Sequence, residues 1–71
     1  MNNITVTVSS VTYAIKLKKL LARGGIQSNL VKLEDKKGKL GCINGVRIRQ
    51  NDLFASIVIM KKNGIDYSIY E

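Results

Sequence analysis

The feature that most constrains this chain is an internal repeat. Gly25-Ile26 and Gly64-Ile65 stand 39 residues apart, and the same offset superposes Leu21 on Met60, Ser28 on Tyr67 and Leu30 on Ile69. In the first copy Ile4, Val6 and Val8 alternate with Thr5, Thr7 and Ser9, the period of a strand with one face buried. Ser10 offers an N-cap oxygen. Val11, Ala14, Ile15, Leu17, Leu20 and Leu21 then recur at helical spacing, with Lys16, Lys18, Lys19 and Arg23 on the other side. Gly24-Gly25 ends the helix, because glycine takes a left-handed conformation without steric cost. A second strand runs from Ile26 to about Leu33.

The second copy follows a break. Glu34 to Gly41 carries two glycines and five charges, which reads as an exposed connection. Cys42, Asn44, Val46 and Ile48 then share one strand parity, and Ile43, Gly45, Arg47 and Arg49 the other. Gly45 in mid-strand signals a bulge or a close approach. Asn51 is the expected N-cap of a second helix, with Asp52 favourable in its first turn. Leu53, Phe54, Ile57, Val58 and Met60 form its expected buried stripe. Asn63-Gly64 closes it, and Ile65, Tyr67 and Ile69 form a last strand.

Two consecutive β-α-β units joined by right-handed crossovers specify one architecture. It is a ferredoxin-like βαββαβ fold of the α+β class: a four-stranded antiparallel sheet of order 4-1-3-2, with both helices on one face. A single domain over residues 1–71 is expected. If Ile65, Tyr67 and Ile69 face the helices, their counterparts Ile26, Ser28 and Leu30 do too. Val31, Leu33, Ile43 and Tyr70 are then left on the open sheet face beside Arg47 and Arg49. Such a cluster fits homodimerisation through that face; scattered surface hydrophobes are the ordinary alternative.

Composition restricts the chemistry. There is one cysteine, Cys42, and no histidine. An internal disulfide, a Cys-His nucleophile and a His-bearing zinc site are therefore excluded, and no metal or other cofactor is expected. Ser9-Ser10 has no base, Glu34-Asp35 are neighbours on a connection, and Asp52 and Asp66 fall in different elements. No catalytic residue is assigned and the chain does not read as an enzyme. Gly38, Gly41 and Gly45 do not form a phosphate-binding loop, since they join two strands instead of a strand and a helix. No apolar run reaches the span of a bilayer, and no signal peptide precedes the first strand. Together with one unpaired thiol, this points to a reducing cytoplasm.

The net charge of +7, with nine Lys and three Arg, steers anionic partners toward the chain or simply keeps it soluble. RNA-binding domains of this topology stack bases on aromatics of the two central strands. The corresponding positions here are Thr5, Thr7, Gly45, Arg47 and Arg49, so nucleic acid is the less favoured partner, held at most through phosphates by Lys36, Lys37, Lys39, Arg47 and Arg49.

Cys42 has two readings. By parity with Val46 and Ile48 it is a packed thiol. As the opening residue of the third strand, beside Lys36, Lys37 and Lys39, it is instead a reactive sulfur stabilised by positive charge. Both helix N-termini are expected at the far end of the sheet, so activation falls to those lysines, with Gly41 and Gly45 leaving access.

The sequence Val8-Ser9-Ser10-Val11-Thr12-Tyr13-Ala14, followed by Leu20-Leu21, Gly25-Ile26, Leu30-Val31, a connection ending in Cys42, then Gly45-Val46-Arg47 and Asn63-Gly64-Ile65, resembles the selenium/sulfur carrier protein-like family of small proteins from Firmicutes and related anaerobic bacteria. The resemblance covers nearly the whole chain. It implies that Cys42 carries sulfur or selenium, and Lys36, Lys37 and Lys39 are expected to attract a donor or acceptor protein with an acidic surface. Typical members have proline before the Cys and Cys-Gly at it, whereas this chain lacks proline and has Ile43 after Cys42. The expectation on which these readings converge is a small basic carrier acting through Cys42; an interaction module with a buried Cys42 is the alternative.

Overall fold

A computed structural model describes residues 2–34 and 42–70, apart from the side chains of Glu34 and Cys42. The elements follow in the expected order: β1 (Asn3–Val8), α1 (Val11–Arg23), β2 (Ser28–Glu34), β3 (Cys42–Arg49), a 3-10 turn (Gln50–Asp52), α2 (Leu53–Lys62) and β4 (Ser68–Tyr70). The sheet is antiparallel with order β2-β3-β1-β4, the expected order read from its other edge. This is the ferredoxin-like α+β arrangement, with β1 and β3 central.

The repeat has a physical basis in how the helices end. In α1, Gly25 has φ +78°, its N–H donates to the carbonyl of Ala22 at 3.0 Å, and the N–H of Ile26 donates to that of Leu21 at 2.9 Å. In α2, Gly64 has φ +66°, its N–H donates to Lys61 at 3.3 Å, and Ile65 donates to Met60 at 2.9 Å. Both are Schellman closures, and in each the apolar residue after the glycine is buried with its carbonyl partner. Asn63 adds a side-chain bond, its Nδ2 donating to Ile59 O at 2.8 Å. Ile26 and Ile65 are thus spent on ending helices. That is why β2 starts at Ser28 and β4 at Ser68, each later than the alternation alone suggests.

Helix starts differ between the copies. Ser10 is extended and its Oγ accepts from the N–H of Tyr13 at 3.3 Å, the expected N-cap. Asn51 is not one: it lies inside the 3-10 turn, which runs directly into α2, and Asp52 makes no side-chain cap bond. The turn is held by β3 continuing its pairing, with Gln50 N–H donating to Asn2 O at 3.1 Å. Strand pairing therefore fixes the entry to α2 where a cap was expected.

The core joins both helices to the central strands: Val6, Val8, Val46 and Ile48 against Ala14, Leu17, Leu21 and Met60, closed off by Ile26 and Ile65. The α2 stripe departs from expectation. Ser56 and Met60 are its buried residues, flanked by Leu53, Ile57 and Ile59, while Phe54 is 79% and Val58 47% exposed. Phe54 precedes Ser56, and Val58 precedes Met60, by two positions, about 200° around a helix of 3.6 residues per turn. Ser56 satisfies its hydroxyl by donating to Asp52 O at 2.7 Å, so a small polar residue is held at the core. Val11 and Ile15 of α1 are likewise exposed. Leu30 and Ile69 share the parity of the helix-covered residues but sit on the two edge strands and remain exposed.

Candidate functional site

Strand β3 carries or pairs with most of the described candidate residues. It begins at Cys42, whose backbone pairs with Glu34 on edge strand β2. Lys36, Lys37, Lys39 and Gly41 lie outside the described residues, as does the Cys42 side chain. The backbone alone corrects one expectation. Val8 pairs with Asn44, and α1 begins three residues after Val8. The N-terminus of α1 is therefore at the same end of the sheet as Cys42, because β1 runs antiparallel to β3 and hands the chain to α1 where β3 starts. Only α2 begins at the far end, beyond Arg49.

Directly paired residues of adjacent strands lie on one face, which defines the open side of the sheet. One row is Tyr70, Thr5, Arg47, Asn29; the next is Ser68, Thr7, Gly45, Val31; a third pairs Ile43 with Leu33. Val31, Leu33 and Ile43 are half-buried and adjoin one another near the Cys42 end. Tyr70 is on the same face but two strands away, and Arg47 and Arg49 are exposed toward the opposite end. Among the described open-face residues of β1 and β3, none is aromatic.

Gly45 is a close approach and not a bulge. The β1–β3 register is unbroken from Asn3–Arg49 to Val8–Asn44, and the β2–β3 register from Ser28–Ile48 to Glu34–Cys42. A Cβ at Gly45 would stand 2.9 Å from Val6 O, 3.2 Å from Thr5 Cγ2 and 3.4 Å from Val31 Cγ2. The glycine is required by neighbouring strands, so its packing does not depend on a ligand.

At the Arg49 end an open cleft of about 720 Å³ is lined by residues from four elements and the α1–β2 turn, among them Lys18, Gln27, Ser28, Asn29, Arg47 and Arg49. Arg49 Nη2 donates to Gln27 Oε1 at 3.2 Å. The Oγ of Ser28 is buried without a hydrogen-bond partner among the described residues. Sequence reasoning did not bring Lys18, Gln27 and Asn29 to the arginines. The signal was the strand register, which pairs Asn29 with Arg47. Among the described residues there is no cluster of three metal-ligating side chains, and no helix is long and apolar enough to cross a membrane.

Comparison with family models, with curated proteins and with solved structures finds no match to this chain.

Proposed function

We propose that this chain is a non-enzymatic carrier that holds sulfur or selenium on Cys42 and passes it between partner proteins in a reducing cytoplasm. The observation that carries the reading is the Val8–Asn44 pairing, which sets the start of α1 and the start of β3 at one end of the sheet. The N-terminal end of a helix favours negative charge through its unpaired N–H groups, and a thiolate is such a charge. Lys36, Lys37 and Lys39 precede Cys42 in sequence and add the positive charge that draws an acidic donor or acceptor protein.

The chemistry is thiol exchange without net oxidation. The Cys42 thiolate attacks the outer sulfur of a donor's persulfide. A new S–S bond forms at Cys42, the donor's S–S bond breaks, and the donor leaves as a thiolate that takes up a proton. In delivery an acceptor thiolate attacks the outer sulfur on Cys42, and Cys42 leaves as thiolate. A selenium atom in the outer position follows the same path. The test is to treat the native protein with a small-molecule persulfide and weigh it intact. Gain of one sulfur atom, lost on adding a thiol acceptor and absent in Cys42→Ser, is the expected result. A thiol that takes up sulfur only in denaturant would overturn the reading.

A second reading rests on the adjoining Val31, Leu33 and Ile43. An apolar cluster on a sheet face that no helix covers suits pairing with a second copy or another protein, with Arg47, Arg49 and Tyr70 farther off on the same face. Sequence-independent nucleic-acid binding is weaker, since the central strands offer no base-stacking aromatic among the described residues.

A further inference from the structure

We infer that the cleft at the Arg49 end of the sheet binds a small phosphorylated molecule. It does not rest on Cys42, which lies seven residues away along β3, roughly 23 Å at the rise of a strand.

The charge pattern comes first. Lys18 from α1 and Arg47 and Arg49 from β3 converge on one cleft, and among its described lining residues none is acidic. Arg47 and Arg49 are alternate residues of one strand, so they lie on the same face about 7 Å apart along it. Like charges on neighbouring positions repel weakly at an exposed surface, and an anion bound between them relieves that repulsion. The side-chain partner of Arg49 is the neutral amide of Gln27, where a structural arginine would commonly hold a carboxylate. That bond steers the guanidinium and leaves its charge uncompensated.

Neutral groups complete the wall. With Oε1 of Gln27 accepting from Arg49, its Nε2 is a donor, and Asn29 carries a second amide beside Arg47. Ser28 also borders the cleft, but its pairing with the buried Ile48 turns its side chain to the helix-covered face, away from Arg47 and Asn29. Two guanidinium forks and an ammonium suit a group with several oxygens and more than one negative charge, which is phosphate before carboxylate. A volume of about 720 Å³ is within the range of small-molecule sites. Ala22, Gly25 and Ile26 line the cleft on the helix side.

The experiment titrates the isotopically labelled full chain with inorganic pyrophosphate at fixed ionic strength and follows its amide resonances. Saturable shifts confined to the neighbourhoods of Lys18, Gln27–Asn29 and Arg47–Arg49 are expected. R47Q and R49Q should each weaken binding by about tenfold or more, the scale of a charge-assisted hydrogen bond. K18Q, on an exposed helix position, should weaken it as well and guards against a strand variant that does not fold. A K36Q/K37Q/K39Q variant should bind unchanged. Non-saturating shifts at basic residues throughout the chain would overturn the proposal, as would equal binding of succinate or unaltered binding by R47Q and K18Q. Binding of a single-stranded oligonucleotide with none of pyrophosphate would overturn it in favour of a polymer.

Discussion

The carbonyl oxygen of Val6 lies 2.9 Å from where a β-carbon on Gly45 would be, closer than a real methyl group tolerates. The contact is made across the two central strands, and backbone cannot step aside cheaply there. Gly45→Ala should therefore destabilise the fold by about 1–3 kcal/mol, the usual range for forcing atoms into a packed position. Denaturant unfolding measures it, and an unchanged midpoint would mean the strands separate without penalty.

Gly25 and Gly64 both occupy the left-handed region, with φ +78° and +66°. Replacing either by alanine should lower stability by about 1–2 kcal/mol, the cost of that conformation for a residue with a side chain. The two closures are at opposite ends of the sheet, so the double variant should lose the sum of the two effects. A marked shortfall from additivity in thermal or denaturant unfolding would show the helix ends to be coupled.

Met60 is fully buried and Phe54 is the most exposed large apolar residue among those described, although both belong to α2. Met60→Ala should cost about 2–5 kcal/mol through lost burial and a residual cavity. Phe54→Ala should stay within about 0.5 kcal/mol, as surface changes do. Comparing their unfolding midpoints tests the orientation of the helix directly.

Cys42 should react in the native protein with an anionic aromatic disulfide faster than glutathione does at neutral pH. The rate should fall as salt rises, because attraction between exposed charges is screened beyond about 10 Å at 0.1 M ionic strength. It should also fall in the Lys36/Lys37/Lys39→Gln variant. Absorbance of the released thiolate follows the reaction, and a rate indifferent to salt would remove the lysines from the site.

If the open face pairs copies of the chain, scattered-light mass should rise toward twice the monomer with concentration. Leu33→Lys, at the middle of the apolar cluster, should hold the protein at monomer mass without loss of helix signal. A monomer at every concentration would leave Val31, Leu33 and Ile43 as ordinary surface.

The sheet order and both helix closures were legible in the sequence because each follows from a local requirement. Gly25 and Gly64 mark positions that favour residues lacking a side chain, and alternation in Ile4-Val6-Val8 reports one covered face. What was not legible depends on how elements meet. Phe54 looks like core in the sequence, yet the buried line of α2 passes through Ser56, whose hydroxyl is hidden by bonding back to Asp52 O. The end of the sheet at which α1 begins follows from tracing β1 antiparallel to β3, a step in which strand direction decides the outcome and residue type has no part. The basic cleft needed register as well, since nothing in the spacing of Lys18, Gln27 and Arg49 brings them together.

The two helices start at opposite ends of the same sheet and so run against one another. Seen from several tens of ångströms, their backbone dipoles largely cancel, and the field an approaching molecule feels is that of the side chains, +7 in all. Close in, the cancellation fails, because each end of the sheet presents the start of one helix beside the end of the other, and a molecule touching one of them feels that terminus first. Long-range attraction and short-range recognition are thereby assigned to different atoms: lysines and arginines gather anionic molecules to the surface, and the backbone amides at either end act only on what has already arrived.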